Sequence, residues 1–388
     1  MMTIGINNMD SICFSCQGES HIAAGKVCQD YSYSCVYGNG DAIAIVCDGH
    51  GGKRYFRSDI GARIAAEVTE RNVRIFLNES GSNLLKGQPF TSRSSLSDQI
   101  KNQEFSKLTE ADKALRQLFS AIIYEWNSCI AEHAKSNPIT DSERQSNPPE
   151  WIEEFTNGIN LEKVYGCTLI AYASTTEFWL AFQIGDGKCF AFDTDGQWSE
   201  PIPWDDRCFL NKTTSICDST AIDEFRYCYD GDGRFPIAMI LGSDGIDDSF
   251  GAEENQANFY VQILKSIAKD GIDATEAEIR ATLPQLSKIG SQDDMSIAMI
   301  FDHQKTTELF PRLVEWQISN IARQVAEEES RIANAEQIKH TVESIDSPTQ
   351  QDLIEQQYAD IDIRRASENR IKLQRRLDAL SDELNATK

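Results

Sequence analysis

The stretch "IAIVCDGHGG", residues 43–52, decides the fold class because an apolar run ends there in an acid. Five apolar residues lead directly into Asp48, which is followed by Gly49, His50 and two further glycines. A short continuous apolar run bounded by turn residues is typical of a strand buried on both faces. An Asp-Gly pair after a strand is most often a simple turn. A functional site is indicated only if other strands bring acids to the same place.

Three other apolar runs carry acids at one end, and a further, polar segment contributes another acid. They are 235–243, which is followed by Asp244; 178–188, which contains Asp186; 289–301, which contains Asp293 and Asp294 ahead of its apolar part; and 25–32, which contains Asp30. Strand ends at one edge of a sheet can place these carboxylates together. The neighbouring glycines let backbone carbonyls approach a ligand without a Cβ in the way.

Such a group of acids predicts a divalent metal site. Crowded carboxylates raise one another's pKa unless a cation neutralises them. Oxygen ligands favour magnesium or manganese over zinc. Two such ions about 4 Å apart could hold a bridging hydroxide, which is a good nucleophile for attack on phosphorus. His50 is well placed to protonate a leaving oxygen, because this role needs a group that titrates near neutral pH.

Composition limits the class of protein and its partners. The chain has 388 residues and a formal net charge of -24. Such a charge disfavours nucleic acid and anionic membranes as partners, and no apolar run is long enough to cross a bilayer. The eleven cysteines are scattered through apolar segments, and the first residues lack the pattern of a signal peptide. We therefore expect reduced thiols and a cytoplasmic location.

The pattern of apolar residues predicts two domains. Residues 1–305 mix antiparallel-looking strands with helices and contain all of the acids described above. Residues 79–107 and 135–150 look like polar connections. In residues 306–388, apolar residues recur at steps of three, four or seven, in two arms separated by "DSPTQQD" (346–352), with Ser347 as the expected helix cap. This pattern predicts a helical hairpin, either as an antiparallel coiled coil or as two helices packed flat on the main domain.

The order of the motifs resembles the metal-dependent serine/threonine protein phosphatases of type 2C, the PPM family, in their bacterial-like form. The motifs are Q-D (29–30), D-G-H-G-G (48–52), G-C-T (166–168), G-D-G-K (185–188), S-D-G (243–245) and D-D-M-S (293–296). The resemblance covers about residues 10–302, and D-G-H-G-G is its most specific part. It implies an α+β fold, a four-layer α-β-β-α sandwich of two antiparallel sheets flanked by helices, to which the C-terminal hairpin is added.

The same resemblance implies roles for individual residues. Asp48 would bridge two metal ions, and Gly49 would offer its carbonyl to one of them. Asp244 and Asp293 would hold the other ion, and Asp186 matches an acid that related bacterial enzymes use for a third, weaker one. His50 would be the general acid, and Asp30 an acid that orders metal-bound water. Asp294 stands where many members have Asn and is expected to support the site rather than to bind metal.

One position departs from the family pattern. Many members carry an Arg five residues before the Q-D aspartate, where it clamps the substrate phosphate, but this chain has Gly25 there. Lys26 is next to it and is the candidate for binding the substrate phosphate. A lysine is a point charge without the planar fork of arginine, so it would hold the phosphate differently.

The leading hypothesis is hydrolysis of phosphoserine and phosphothreonine in proteins, through a hydroxide that bridges two magnesium or manganese ions. The alternative is a catalytically inert, phosphatase-like scaffold that acts through its coiled-coil arm. The departure at Gly25 favours the alternative, whereas the complete set of acids favours the enzyme. In either case the partners expected are a phosphoprotein, and a protein partner or a second copy of the chain bound through the C-terminal arm.

Overall fold

The structure is a computed structural model that describes residues 8–103, 108–208 and 212–386. The chain forms two compact units, Met1–Thr307 and Glu308–Lys388. Among the helices of the described residues, none combines the length and the apolar character that a membrane-spanning helix needs.

The first unit contains two antiparallel β-sheets. Its strands are β1 (Met9–Cys16), β2 (Tyr31–Val36), β3 (Ala42–Cys47), β4 (Thr91–Arg93), β5 (Leu169–Ser174), β6 (Trp179–Ile184), β7 (Lys188–Phe192), β8 (Trp198–Ser199), β9 (Arg226–Asp230), β10 (Ala238–Gly242) and β11 (Met295–Asp302). Within the described residues, one sheet has five strands in the order β1-β11-β10-β7-β8. The other has six strands in the order β2-β3-β5-β6-β9-β4.

Helices cover the outer faces of both sheets. The helices before residue 303 are α1 (Glu19–Ala24), α2 (Ser58–Phe76), α3 (Ser82–Leu84), α4 (Leu96–Asn102), α5 (Glu110–Ser136), α6 (Asp141–Ser146), α7 (Pro149–Thr156), α8 (Ala221–Glu224), α9 (Asp244–Asp247), α10 (Glu253–Asp270) and α11 (Ile272–Ile289). Two long helices follow them in the chain, α12 (His303–Glu343) and α13 (Gln350–Ala386). Helices α2 and α5 pack on the six-stranded sheet, and α11 packs on β1 and β11 of the other sheet. The architecture is therefore the expected four-layer α-β-β-α sandwich.

Strand β3 shows why its sequence is apolar throughout. Ala42, Ala44 and Val46 lie in the core between the two sheets, together with Met239 and Ala298 of the other sheet. The alternate residues of β3 belong to a second core, which includes residues of α2 and α5. A strand that is buried on both faces has no polar alternation, as the sequence predicts.

The register of the strands places the strand ends that are next to acids at one edge of the sandwich. The last residue of β3, Cys47, pairs with Tyr31 at the start of β2. In the other sheet, Gly242 at the end of β10 pairs with Ile297 near the start of β11. Residues just before β2 and β11 therefore lie at the same edge as residues just after β3 and β10.

The second unit contains most of α12 together with α13, which run antiparallel to each other. Arg331 of α12 lies 2.9 Å from Asp362 of α13, and Lys339 lies 2.8 Å from Asp360. Buried and half-buried positions of α12 alternate in steps of four and three, at residues 321, 325, 328, 332, 335, 339 and 342. This spacing is the heptad period of a coiled coil, and supercoiling of the pair stays a prediction.

The structure differs from the sequence analysis in several connections. Helix α13 begins at Gln350, and Thr349 rather than Ser347 accepts the capping hydrogen bond, which the backbone N–H of Asp352 donates. The segment 79–107, expected to be a loop, contains α3, α4 and β4 in its described part, and the connection 135–150 includes α6. Strand β9 (Arg226–Asp230) lies in a stretch where the sequence pattern predicts no strand.

Candidate metal centre

Asp48 and Gly49 are fixed by contacts with the neighbouring strand. The backbone N–H of Asp48 donates to Thr168 Oγ1 at 3.2 Å, and its carbonyl accepts from Thr168 N at 2.8 Å. A Cβ on Gly49 would lie 2.4 Å from the carbonyl oxygen of Gln29, so a larger residue would displace the backbone. The turn after β3 therefore holds its carboxylate in a defined position, and glycine is required beside it.

The carboxyl groups of Asp48 and Asp244 lie within hydrogen-bonding distance of each other. Burial raises the pKa of Asp48 well above its usual range, and the charges of Asp244 and Asp30 raise it further. Burial likewise raises the pKa of Asp244, to about 7, and the charge of Asp186 adds to this effect. Two ionised carboxylates are disfavoured at this distance without a cation between them.

Asp30 belongs to the same group. Burial raises its pKa well above the usual range, and the charges of Asp294 and Asp244 raise it further, although hydrogen bonds from Ser243 and Ser296 oppose the shift. Among the described residues, Asp30 Oδ2 and Asp244 Oδ1 are buried and have no hydrogen-bond partner. Buried carboxylate oxygens without a partner are costly in a protein interior.

Asp186 and Asp293 border this group. Burial raises the pKa of Asp186, which is hydrogen-bonded to Thr213. The side chain of Asp293 is 54% exposed, and its charge contributes to the raised pKa of Asp244. Burial also raises the pKa of Asp248, which the sequence did not single out, and the charge of Asp293 raises it further.

This arrangement fits hard divalent cations. The donors are carboxylate oxygens, and two of them are buried without a partner. A cation would neutralise the acids whose raised pKa values show mutual repulsion. Oxygen-only donor sets suit magnesium or manganese.

Asp294 is engaged in structural contacts. Its Oδ1 accepts from Gly18 N at 2.7 Å, and its Oδ2 accepts from Gln29 N at 2.5 Å. His21 Nδ1 also lies 2.9 Å from Oδ2. Although burial opposes it, these hydrogen bonds lower the pKa of Asp294, with His21 making the largest contribution. Both oxygens are therefore occupied, which fits a supporting role rather than metal binding.

His50 follows Asp48 and Gly49 in the chain, and its side chain contacts Ser215 and Tyr55. Its Nε2 lies 2.7 Å from Ser215 Oγ, and its ring packs edge-on against Tyr55 at 4.7 Å. Burial lowers its pKa to about 4, although the charge of Asp218 opposes this shift. Without a bound anion, the imidazole is therefore neutral at pH 7.

Lys26 lies at the rim of the same turn. Its Nζ donates to the carbonyl oxygen of Gly51 at 2.9 Å, and its side chain is exposed. Gly25 ends α1 in a left-handed conformation, with φ of 65°. The structure thus brings Lys26 next to the D-G-H-G-G turn, where a phosphate could contact it.

Three residues that hold the site together were not assigned a role from the sequence. Ser215 contacts His50, His21 pairs with Asp294, and Gln29 Nε2 donates to the carbonyl oxygen of His50 at 3.1 Å. Gln29 belongs to the Q-D motif (29–30), but neither periodicity nor motif spacing assigns a role to Gln29, His21 or Ser215. Their function depends on loops that meet only in the folded chain.

A family model described as protein phosphatase 2C matches residues 17–284. None of the curated proteins matches significantly.

Solved structures similar to the chain include three phosphatase-related proteins. The catalytic domain of serine threonine protein phosphatase PstP, in complex with two manganese ions, has 15% identity over 76% of this chain and 97% of that chain, with a TM-score of 0.44. PppA, a regulatory component of T6SS in Pseudomonas aeruginosa, has 16% identity over 76% and 97%, with a TM-score of 0.43. Stp1 from Staphylococcus aureus has 13% identity over 76% and 94%, with a TM-score of 0.42. Because these identities and TM-scores are low, the family assignment is based on the family model alone.

Proposed function

The chain belongs to the protein phosphatase 2C family, and we propose that it hydrolyses phosphoserine and phosphothreonine in proteins with the help of divalent metal ions. The observation that supports this proposal is the group of acids at one edge of the sandwich. Their raised pKa values, and the buried oxygens of Asp30 and Asp244 without a partner, are the features of a site that binds cations.

Two ions, magnesium or manganese, would be held by Asp48, the carbonyl of Gly49, Asp244 and Asp293. Asp186 would contribute to a third, weaker site. Divalent ions bound there supply a nucleophilic water at neutral pH and stabilise the charge on the phosphoryl oxygens.

The chain's own residues position the substrate and move the proton. Lys26 would contact the phosphate through an exposed ammonium group. His50 would donate a proton to the departing seryl or threonyl oxygen. Its imidazole is neutral in the substrate-free chain, and a phosphate dianion beside it would raise its pKa. Asp30 would accept hydrogen bonds from water beside the acids.

The proposal is tested by measuring phosphate release from a phosphothreonine peptide with manganese and with EDTA. We expect turnover only with manganese, and a loss of at least about a hundredfold in Asp244→Asn. Calorimetric titration with manganese should show weaker binding by the same variant. The matched control is Asp270→Asn, which changes an exposed acid at the end of α10.

Release of phosphate in EDTA, or full activity of Asp244→Asn, would contradict the proposed mechanism. If the folded wild type binds manganese but releases no phosphate, the chain is an inert scaffold. The coiled-coil arm as a site for a partner or for self-association, and the cytoplasmic location, stay predictions.

A further inference from the structure

A second cleft lies at the end of the sandwich opposite to the acids. We call it the far-end cleft; it is lined in part by Phe90, Trp179, Trp198, Asp230, Arg234 and Phe235, and its volume is about 520 Å³. Trp179 is the first residue of β6, whereas Asp186 lies two residues beyond the last residue of that strand, Ile184. The length of a strand therefore separates the Trp179 end of the far-end cleft from the candidate metal centre, whereas Glu200, which also lines the cleft, lies 3.1 Å from Lys188.

The lining of the far-end cleft is rich in aromatic rings. Phe90 is 45% exposed, and its ring centre lies 6.0 Å from that of Trp179. The indole of Trp179 is held in place because its Nε1 donates to the carbonyl oxygen of Arg234 at 2.8 Å. Trp198 and Phe235 are partly exposed in the same lining. Aromatic faces attract guanidinium and ammonium groups as well as apolar side chains.

The far-end cleft also contains a buried acid, Asp230, whose negative charge is only weakly neutralised by a neighbouring cation. The side chain of Asp230 is only 3% exposed, and its Oδ1 accepts from the backbone N–H of Asp232 at 2.7 Å. In the described part of the chain, the cation within 4.0 Å of Asp230 is Arg234, whose side chain is 73% exposed. An ion pair with such an exposed side chain contributes little. A cationic group that entered between the rings would therefore meet an acid with a weak partner.

Two sheet edges flank the far-end cleft. Strand β8 is the outer strand of the five-stranded sheet, and β4 is the outer strand of the six-stranded sheet. The lining includes Ser199 of β8 and Ser92 of β4. An outer strand has backbone N–H and C=O groups on its free side, which an extended peptide can pair with.

We propose that the far-end cleft binds an extended peptide segment of a protein partner through an arginine or lysine side chain. The cation would lie among the rings of Phe90, Trp179 and Trp198 and pair with Asp230. The backbone of the segment would lie along the outer strands. Charge complementarity supports this occupant, because a cation is attracted both by the rings and by the carboxylate.

The test uses two peptides, Ac-Gly-Val-Arg-Val-Gly-NH2 and the same peptide with Gln in place of Arg, in calorimetric titrations of the full chain. We expect the Arg peptide to bind roughly tenfold more tightly than the Gln peptide. Asp230→Asn should reduce binding of the Arg peptide by a similar factor. Phe90→Ala should reduce it roughly threefold. Asp195→Asn, an exposed acid on the turn between β7 and β8, should bind it like the wild type.

Equal affinity for both peptides, or no binding of either up to about 1 mM peptide, would overturn the proposal. So would wild-type binding by both Asp230→Asn and Phe90→Ala. Thermal melts show whether each variant is folded, and Phe90 is exposed enough that its replacement leaves the core intact.

A second experiment identifies the source of the segment. If it belongs to a substrate, kcat/KM for a long phosphopeptide with a distant Arg falls in Asp230→Asn, while kcat/KM for a short phosphopeptide is unchanged. If both values are unchanged but peptide binding is reduced, the segment belongs to a separate partner. Peptide binding does not require catalysis, so failure of the proposed phosphatase activity would leave the binding result interpretable.

Discussion

The imidazole of His50 is held by the hydroxyl of Ser215 and by the ring of Tyr55. Ser215 Oγ also donates to the carbonyl oxygen of Cys167 at 2.9 Å. Because its hydrogen is directed to that carbonyl, Ser215 can accept a hydrogen bond from the Nε2–H of His50. Ser215 is thus a positioning residue that sets the orientation and the tautomer of the proposed general acid.

We expect Ser215→Ala to lower kcat roughly tenfold and to change KM little, because the imidazole loses one hydrogen bond that orients it. The measurement is steady-state hydrolysis of a phosphothreonine peptide with saturating manganese. Ser128→Ala serves as the control, since the hydroxyl of Ser128 is exposed and donates to the carbonyl oxygen of Tyr124 within α5. An unchanged kcat in Ser215→Ala would show that His50 is oriented without this contact.

The raised pKa of Asp247 predicts how the stability of the chain depends on pH. Burial raises its pKa from 3.8 to about 6, although the charge of Lys188 opposes the shift. The folded chain therefore holds the proton more tightly than the unfolded chain, and stability is lost as the pH rises between these two values. We expect Asp247→Asn in EDTA to raise the free energy of unfolding by about 1–2 kcal/mol near pH 7.5.

Urea denaturation at several pH values measures this effect. The gain in Asp247→Asn should largely disappear near pH 4, where the wild-type carboxyl is protonated in the folded chain. Asp270→Asn, at an exposed position, should show no such dependence. A gain of the same size at both pH values would mean that packing, rather than charge, explains it.

At the scale of elements, the strands that carry the acids could be predicted, because they are apolar and end in Asp-Gly or begin after Asp. Strand β9, "RYCYD", could not be predicted, since its two ends are charged. The structure buries Arg226, which donates to the carbonyl oxygens of Pro203 and Gly185, and it buries Asp230 as well. Such tertiary partners allow a charged residue inside a sheet, and they cannot be read from local sequence.

The packing of α2 against the segment that precedes β5 depends on Gly61. A Cβ at this position would lie 1.8 Å from the carbonyl oxygen of Tyr165. The carbonyl oxygen of Gly61 also accepts from Trp126 Nε1 at 3.1 Å, which joins α2 to α5. Glycine is normally unfavourable within a helix, so its presence here reflects the close approach of two backbones.

We expect Gly61→Ala to lower the free energy of unfolding by at least about 2 kcal/mol, because α2 must move away from the backbone of Tyr165. Urea denaturation provides the measurement. Gly251→Ala is the matched control, since a Cβ there meets no atom within 4 Å. A variant at Gly61 that is as stable as the wild type would show that the helix shifts at little cost.

At the scale of the whole molecule, the chain divides into Met1–Thr307 and Glu308–Lys388. All of the proposed site residues belong to the first unit. We therefore expect a chain that ends at Thr307 to fold and to retain manganese-dependent turnover within about threefold of the full chain. Phosphopeptide hydrolysis and thermal melting check this, and an unfolded or inactive fragment would show that the second unit is required.

The crowding of acids around Asp48 and Asp244 has a consequence for how such a sequence could drift over generations. Each buried acid with a raised pKa costs stability near neutral pH, so replacing it with a neutral residue would make the metal-free chain more stable. Most random substitutions destabilise a protein, but replacement of these acids by neutral residues would stabilise it and would be favoured if catalysis were no longer selected. A lineage that had lost the activity would thus be expected to lose these acids early. The acids present at this edge are accordingly what continued selection for a charged, metal-binding site would leave behind.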